Sequence, residues 1–249
     1  MKEIISPFLS KRKLMQVGIS ALIFIGMAIP FKVMVLIEGF TEVRPVNAVP
    51  VVAGLLFGPA GAWGCAFGNL IADMFGTFSS ASILGFFGNF IAAYLPYKLW
   101  HFLSRNETPN VKSFKNVMKY VLISATAAFA TAILLACGLD LFLNLWMPQV
   151  FWIIALNDLG FPLVLGLPVF IVLTTDESHF KITMPENTGA EKNTQTRSLL
   201  KRILIVALLA TEAAIVLMIS MGMQMAVEPL LLGAGFLFIF SVAGIVVLG

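Results

Sequence analysis

The most constraining feature of the sequence is a pair of apolar runs, at residues 46–57 and 60–75, that meet at Gly58-Pro59. Proline is favoured in the first turn of a helix and glycine in the turn before it, so this junction predicts a helical hairpin. Each arm is shorter than the roughly 20 residues that a perpendicular membrane helix needs. We therefore expect other helices, and not lipid alone, to enclose the hairpin.

Small residues recur at every fourth position of the second arm, a spacing that lets helix backbones approach closely. They form two stripes, Gly58, Ala62, Ala66 and Gly64, Gly68, Ala72, Gly76. Four polar side chains lie in or just before the same stretch: Arg44, Asn47, Asn69 and Asp73. The pattern predicts a packed interior element that presents polar groups to a cavity.

The composition places the whole chain in a membrane. Of its 249 residues, 59% are hydrophobic and 12% are charged, whereas charged residues make up about 25% of a soluble domain. The apolar run at 15–37 exceeds the roughly 7–15 residues of a signal-peptide core, so we interpret it as a retained first span. The predicted fold class is an all-α polytopic membrane helix bundle.

The apolar pattern predicts eight membrane segments, at residues 14–37, 46–57, 60–75, 83–102, 117–143, 150–174, 199–222 and 229–248. The segment at 150–174 is interrupted at 157–162, where Gly160 and Pro162 should bend the helix. With this layout almost every basic residue falls on one side, which predicts a multi-pass cell membrane protein with both termini in the cytoplasm. We divide it into a six-segment substrate-binding core (1–175), a polar cytoplasmic linker (176–198) and two additional transmembrane helices (199–249).

No catalytic chemistry is visible in the sequence. A nucleophile with its base and a phosphate-binding GxxxxGK loop are both missing. The two histidines and the two cysteines, Cys65 and Cys137, do not have metal-ligand spacing. We predict that the chain is not an enzyme and has no cofactor and no metal. The net charge of +3 follows the membrane sidedness and does not form a patch, so no nucleic acid partner is predicted.

Polar residues inside the apolar segments are the best candidates for function. An ionisable group at lipid depth costs at least about 2.5–3.5 kcal/mol and normally lines a cavity or pathway. We expect these groups to bind a small-molecule substrate. The candidate substrate-binding residues are Lys32, Arg44, Asn47, Asn69, Asp73, Asn89, Trp152, Asn157 and Asp158.

Several candidates have a structural alternative. Asp73 is also explained as a helix-end residue, Asn89 as an interhelical hydrogen bond and Trp152 as part of an interfacial aromatic belt. Lys32 and Arg44 either clamp an anionic group or are neutralised by neighbouring glutamates. A further carboxyl, Glu212 in the seventh segment, either lines a cavity or pairs with a partner subunit or an unseen cation. The sequence leaves these alternatives open.

The motif GLLFGP at 54–59 followed by GNLIAD at 68–73 resembles the substrate-binding S-components of energy-coupling factor (ECF) transporters. The likeness covers about residues 15–174 and is closest to the queuosine-precursor-like and uncharacterised members. It implies a six-helix protein that captures a vitamin-like molecule from outside. The implied partners are the lipid bilayer, a membrane coupling subunit and two cytoplasmic ATPases.

The chain departs from that family pattern in two places. The first span has Gly18, Ala21 and Ala28 but not the Ala-x-x-x-Ala spacing through which the family commonly docks, and the two C-terminal spans are additional. A solitary uptake protein or a different partner therefore stays open. Two other functions remain as alternatives, a ligand-binding membrane sensor of a signalling system and a structural subunit of a membrane complex.

Overall fold

The computed structural model describes residues 2–31, 35–37, 41–76, 78–104, 107–175 and 195–248. Lys32 lies outside the described residues, as does most of the predicted linker, at 176–194. The structure is helical apart from two very short antiparallel strands, β1 Val35–Ile37 and β2 Thr41–Glu42. The helices are α1 Lys2–Ile5, α2 Lys11–Ala28, α3 Ala48–Phe57, α4 Pro59–Asp73, α5 Ala81–Leu103, α6 Phe114–Leu143, α7 Pro148–Phe161, α8 Leu167–Thr175, α9 Gln195–Ser220 and α10 Pro229–Leu248.

The predicted fold class, an all-α polytopic membrane bundle, is confirmed. Within the described residues, five stretches are long and apolar enough to cross a membrane. They are Lys11–Phe31, Phe114–Leu143, Pro148–Thr175, Leu199–Ser220 and Pro229–Val247. The remaining apolar helices are the two arms of the hairpin, α3 and α4, and α5, which packs against both arms and against α6. The eight predicted segments all appear as helices, whereas the number that spans stays a prediction.

The predicted hairpin forms with its turn at Gly58, directly between α3 and α4. Gly58 has φ +56°, a backbone conformation that is strained for residues with a Cβ. A Cβ at this position would also lie 3.0 Å from the ring of Tyr97. We call this end of the bundle the turn end, and the end where α4 finishes at Asp73 the far end. The arms are buried between α2 and α5, as their length requires.

Two glycines of α4 let its backbone lie directly on α2. A Cβ added at Gly64 would stand 2.4 Å from the Cβ of Ser20, and one added at Gly68 would stand 2.8 Å from the Cβ of Phe24. Both distances are shorter than van der Waals contact. The stripe that contains Gly64 and Gly68 therefore lies at the interface between α2 and α4.

The predicted first span was too long at its C-terminal end. We expected apolar helix over 14–37, but α2 ends at Ala28 and a 3₁₀ turn, Ile29–Phe31, follows. Pro30 explains the difference, because proline lacks the N–H that would continue the helical hydrogen-bond ladder. The chain then forms β1, which pairs with β2. Residues 35–37, predicted as helix, therefore form a strand.

The predicted break in the sixth segment is present. α7 ends at Phe161 and a π-helical turn, Pro162–Gly166, leads into α8. The hydroxyl of Tyr120 on α6 donates to the Pro162 carbonyl at 3.0 Å, which satisfies one backbone group at the break. π-helical turns inside helices are frequent at functional sites.

The two C-terminal helices, α9 and α10, pack against each other as a hairpin and lie against α6 and α5 of the core. At the far end, the Asp140 carboxylate of α6 accepts a hydrogen bond at 2.8 Å from the Ala226 N–H in the α9–α10 connection. This bond attaches the C-terminal hairpin to the core. The division of the chain into core, linker and added helices stays a prediction.

We predict that Gly64→Ala separates α2 from α4 and lowers stability by about 1–3 kcal/mol, the usual cost of overpacking. Gly18→Ala is the matched control, because a Cβ at Gly18 meets nothing within 4 Å. Thermal unfolding of the purified protein in detergent measures the difference. Equal unfolding midpoints for the two variants would contradict the close α2–α4 contact.

Candidate functional site

A chain of polar contacts joins the segment before α3 to the far end of α4. Arg44 donates from Nη2 to Oδ1 of Asn69 at 2.8 Å, and Asn69 donates from Nδ2 to Oδ2 of Asp73 at 3.2 Å. Asn69 is only 1% exposed. Its amide therefore connects the guanidinium and the carboxylate, with the donor group toward the anion and the acceptor group toward the cation.

A second contact joins the same segment to α7. Asn47, the last residue of the 3₁₀ turn Pro45–Asn47, donates from Nδ2 to Oδ1 of Asp158. Arg44 also interacts electrostatically with Asp158. We call Arg44, Asn47, Asn69, Asp73 and Asp158 the polar network. It brings together residues that lie more than a hundred positions apart in sequence.

The polar network lies well inside the bundle. Asp158 is ten residues after the start of α7 at Pro148, which is about 15 Å along the helix axis. The turn Pro45–Asn47 is buried and contacts α7 and α2. Short, irregular backbone at membrane depth is tolerated only where it is enclosed by protein or lines a cavity. The turn is thus held by protein contacts on several sides.

The network is only partly closed. Asn47 and Asn69 are buried, whereas Arg44, Asp73 and Asp158 keep intermediate exposure. The Nε atom of Arg44 is buried and has no hydrogen-bond partner among the described residues. Two apolar grooves lie elsewhere, one between α10 and the α4–α6 core and one between α9 and α10, and neither includes a residue of the polar network.

Two of the other predicted site residues have contacts of their own. Asn89 is buried and donates to the Gly85 carbonyl of its own helix at 2.9 Å. Trp152 is 37% exposed and packs edge-on against Phe151. Asn157 is buried beside Asp158 in sequence, and Lys32 lies outside the described residues. The structure therefore brings five of the nine candidates together.

The sequence interpretation missed the role of Gly85. A Cβ at this position would stand 2.8 Å from Nδ2 of Asn69. The absence of a side chain at Gly85 therefore leaves space on α5 where the amide of Asn69 lies between Arg44 and Asp73. Ala81, Gly85 and Ala93 recur on one face of α5 with Asn89, and this spacing contained the signal, but it does not identify which side chain fills the space.

A second polar cluster, at the turn end, was also missed. Glu3 of α1 accepts hydrogen bonds from the Tyr97 hydroxyl and the Lys98 ammonium of α5. Trp63 of α4 donates from its indole to the Ile4 carbonyl at 2.8 Å. These contacts hold the N-terminal segment against α4 and α5, and they place Trp63 away from the polar network. No sequence signal distinguished Glu3 from an ordinary flanking charge.

The chemistry of the polar network suits binding. One guanidinium and two carboxylates give a formal charge of −1 when all three are ionised. Amide groups supply further donors and acceptors. The described residues contain no group of three or more His, Cys, Asp or Glu side chains that could hold a metal ion. The arrangement can orient a small polar molecule by several hydrogen bonds at once.

Comparison with known proteins gives one match. A family model described as QueT transporter matches residues 14–175, which run from the first turn of α2 to the end of α8 and include all five residues of the polar network. No curated protein and no solved structure matches the chain. The C-terminal hairpin, α9 and α10, lies beyond the matched residues.

We predict that Asn69→Ala lowers stability by about 1–3 kcal/mol, because it leaves buried polar groups of Arg44 without their partner. Asn89→Ala is the matched control, since it removes a buried asparagine whose hydrogen bond, among the described residues, goes to its own helix. The free energy of unfolding in detergent should fall more for Asn69→Ala than for the control. A larger loss in the control would show that Asn69 does not hold the network together.

Proposed function

We propose that this chain, which belongs to the QueT transporter family of ECF transporter S-components, binds a small vitamin-like solute from outside the cell and delivers it as the specificity subunit of an importer. The polar network carries the proposal. It is the place in the described structure where charged and amide groups from three separate segments converge inside an apolar bundle.

Mutual hydrogen bonds within the network support a binding role. Buried polar groups need hydrogen-bond partners when no ligand is present. In this structure the amides and carboxylates of the network bond to one another or to Arg44, whose Nε atom has no partner among the described residues. A ligand that replaces the Asn47–Asp158 contact exchanges one hydrogen bond for another, which costs little net free energy. The intermediate exposure of Arg44 supports access of a solute to the network.

The charges favour a particular kind of solute. Asp158 suits an amine or another N–H donor, and the guanidinium of Arg44 suits a carbonyl or an anionic oxygen. The formal charge of −1 favours a solute with more donors than acceptors. We infer a compact polar molecule, such as a heterocycle or a zwitterion, that carries both kinds of group.

The family supports the proposed partners. ECF S-components bind small molecules and work with membrane and ATPase modules. We infer that this chain, a transporter subunit and not itself an enzyme, works with a membrane coupling subunit and two cytoplasmic ATPases. Both termini then lie in the cytoplasm, with the turn end facing inward and the far end facing outward. The basic residues of the α5–α6 connection support this orientation.

Delivery requires the site to become accessible from the inner side. ATP turnover in the partner subunits would drive the bundle to reorient or to open. The π-helical turn that begins four residues after Asp158, with its Pro162 carbonyl held by Tyr120, is a place where α7 can change direction relative to α8. The solute would then lose Asp158 and Arg44 together.

We predict that a small molecule copurifies with the wild-type protein and is lost from Asp158→Asn and Arg44→Lys. Each variant keeps the side-chain volume but removes a charge-assisted or forked hydrogen bond, which should weaken binding by about 10- to 150-fold. Mass spectrometry of the molecules released by denaturation measures the loss. Glu228→Gln, in the α9–α10 connection, is the control and should retain the molecule.

The same preparations test the alternative of a structural subunit. Copurification of ATPase chains together with a released solute supports the importer. A solute that is equally abundant in the wild-type protein, both site variants and the control would contradict binding at the polar network.

A further inference from the structure

Glu212 is a carboxyl at the middle of the C-terminal hairpin. It lies on α9, eight residues before the end of that helix at Ser220, which is about 12 Å along the axis. The residue is only 6% exposed, and its Oε1 atom has no hydrogen-bond partner among the described residues. It takes no part in the polar network.

The surroundings of Glu212 are apolar. α9 packs against α10 and α6, and Leu208 and Ile215, one turn to either side of Glu212, are fully buried. These two residues belong to one apolar cluster with Ile133 of α6 and Phe238 of α10. The carboxyl therefore lies in the contact between the hairpin and the core.

No charged group on the packed elements lies at the same depth. The described part of α10 contains no ionisable side chain. α6 carries buried Cys137 and, toward the far end, Asp140, which accepts the hydrogen bond from Ala226; its lysines lie in its first two turns. On α9 the nearest basic residue is Arg202, ten positions away, or about 15 Å along the axis.

The number of oxygen ligands that each cation needs indicates which one a single carboxyl can bind. An unpaired carboxylate at lipid depth costs at least about 2.5–3.5 kcal/mol. Calcium and magnesium need about six oxygen ligands or more, and a single carboxyl cannot supply them. A proton needs one oxygen atom. We propose that Glu212 is a proton-binding site between the C-terminal hairpin and the core, and that loss of the proton loosens the contact between them.

The direction of the pH effect follows from linkage. The packed hairpin holds the Glu212 proton, whereas a loosened hairpin exposes the carboxyl to water and releases it. Stability falls with increasing pH wherever the packed state binds more protons. The hairpin is therefore held most firmly at acid pH and loosens as the pH rises.

Dicyclohexylcarbodiimide tests proton binding directly, because it reacts with protonated carboxyls in apolar surroundings. The full-length protein in phospholipid nanodiscs is treated over a range of pH, and the modified peptides are identified by mass spectrometry. We expect modification at Glu212 that decreases as the pH rises, and less modification at Glu228 in the α9–α10 connection. An unmodified Glu212, or modification independent of pH, overturns the proposal.

Glu212→Gln tests the consequence for packing, because glutamine has the shape of the protonated side chain and cannot ionise. Cys137 lies one turn before Asp140 on α6 and is buried, so its alkylation by a maleimide reports loosening. We expect the alkylation rate of the wild-type protein, divided by that of Glu212→Gln, to rise with pH. A ratio that does not change with pH overturns the loosening. Neither readout depends on solute binding at the polar network.

Discussion

The guanidinium of Arg44 lies inside an apolar helix bundle, and its hydrogen bond to Asn69 is the interaction on which the site depends. A cation at this depth is stable only when its donors are satisfied and its charge is balanced. Asn69 accepts from Arg44 and donates to Asp73, while Asp158 interacts electrostatically with Arg44 from α7. The positions of α4, α7 and the turn before α3 are therefore coupled through one side chain.

The glycines of the bundle make that arrangement fit. Gly64 and Gly68 bring α4 onto α2, and Gly85 leaves space on α5 for the amide of Asn69. α4 is held on two sides in this way, and Asn69 near its polar end meets Arg44. The C-terminal hairpin, α9 and α10, covers a different face of the core and carries its own buried carboxyl, which suggests that the proposed solute site and Glu212 act independently.

The sequence predicted those features that depend on local chemistry. Gly58-Pro59 correctly predicted the hairpin turn, and Gly160 with Pro162 correctly predicted the break after α7, because both effects arise within a few residues. The predicted end of the first helix is wrong because Pro30 ends the helix inside the apolar run. The Asn47–Asp158 and Arg44–Asn69 contacts were beyond prediction, since partners across the bundle are fixed by packing. The same limit applies to Asn89. Like Asn69 it is an asparagine among small residues of an apolar helix, yet it bonds to its own helix.

The most direct test of the account is an experimental structure of the protein with the solute that copurifies with it. The account predicts that the solute lies between Arg44 and Asp158, that it replaces the Asn47–Asp158 hydrogen bond, and that Asn69 still contacts Arg44. A solute bound in another part of the bundle, with the contacts among Arg44, Asn47, Asn69 and Asp158 unchanged, would contradict the central claim that these buried polar groups form the binding site.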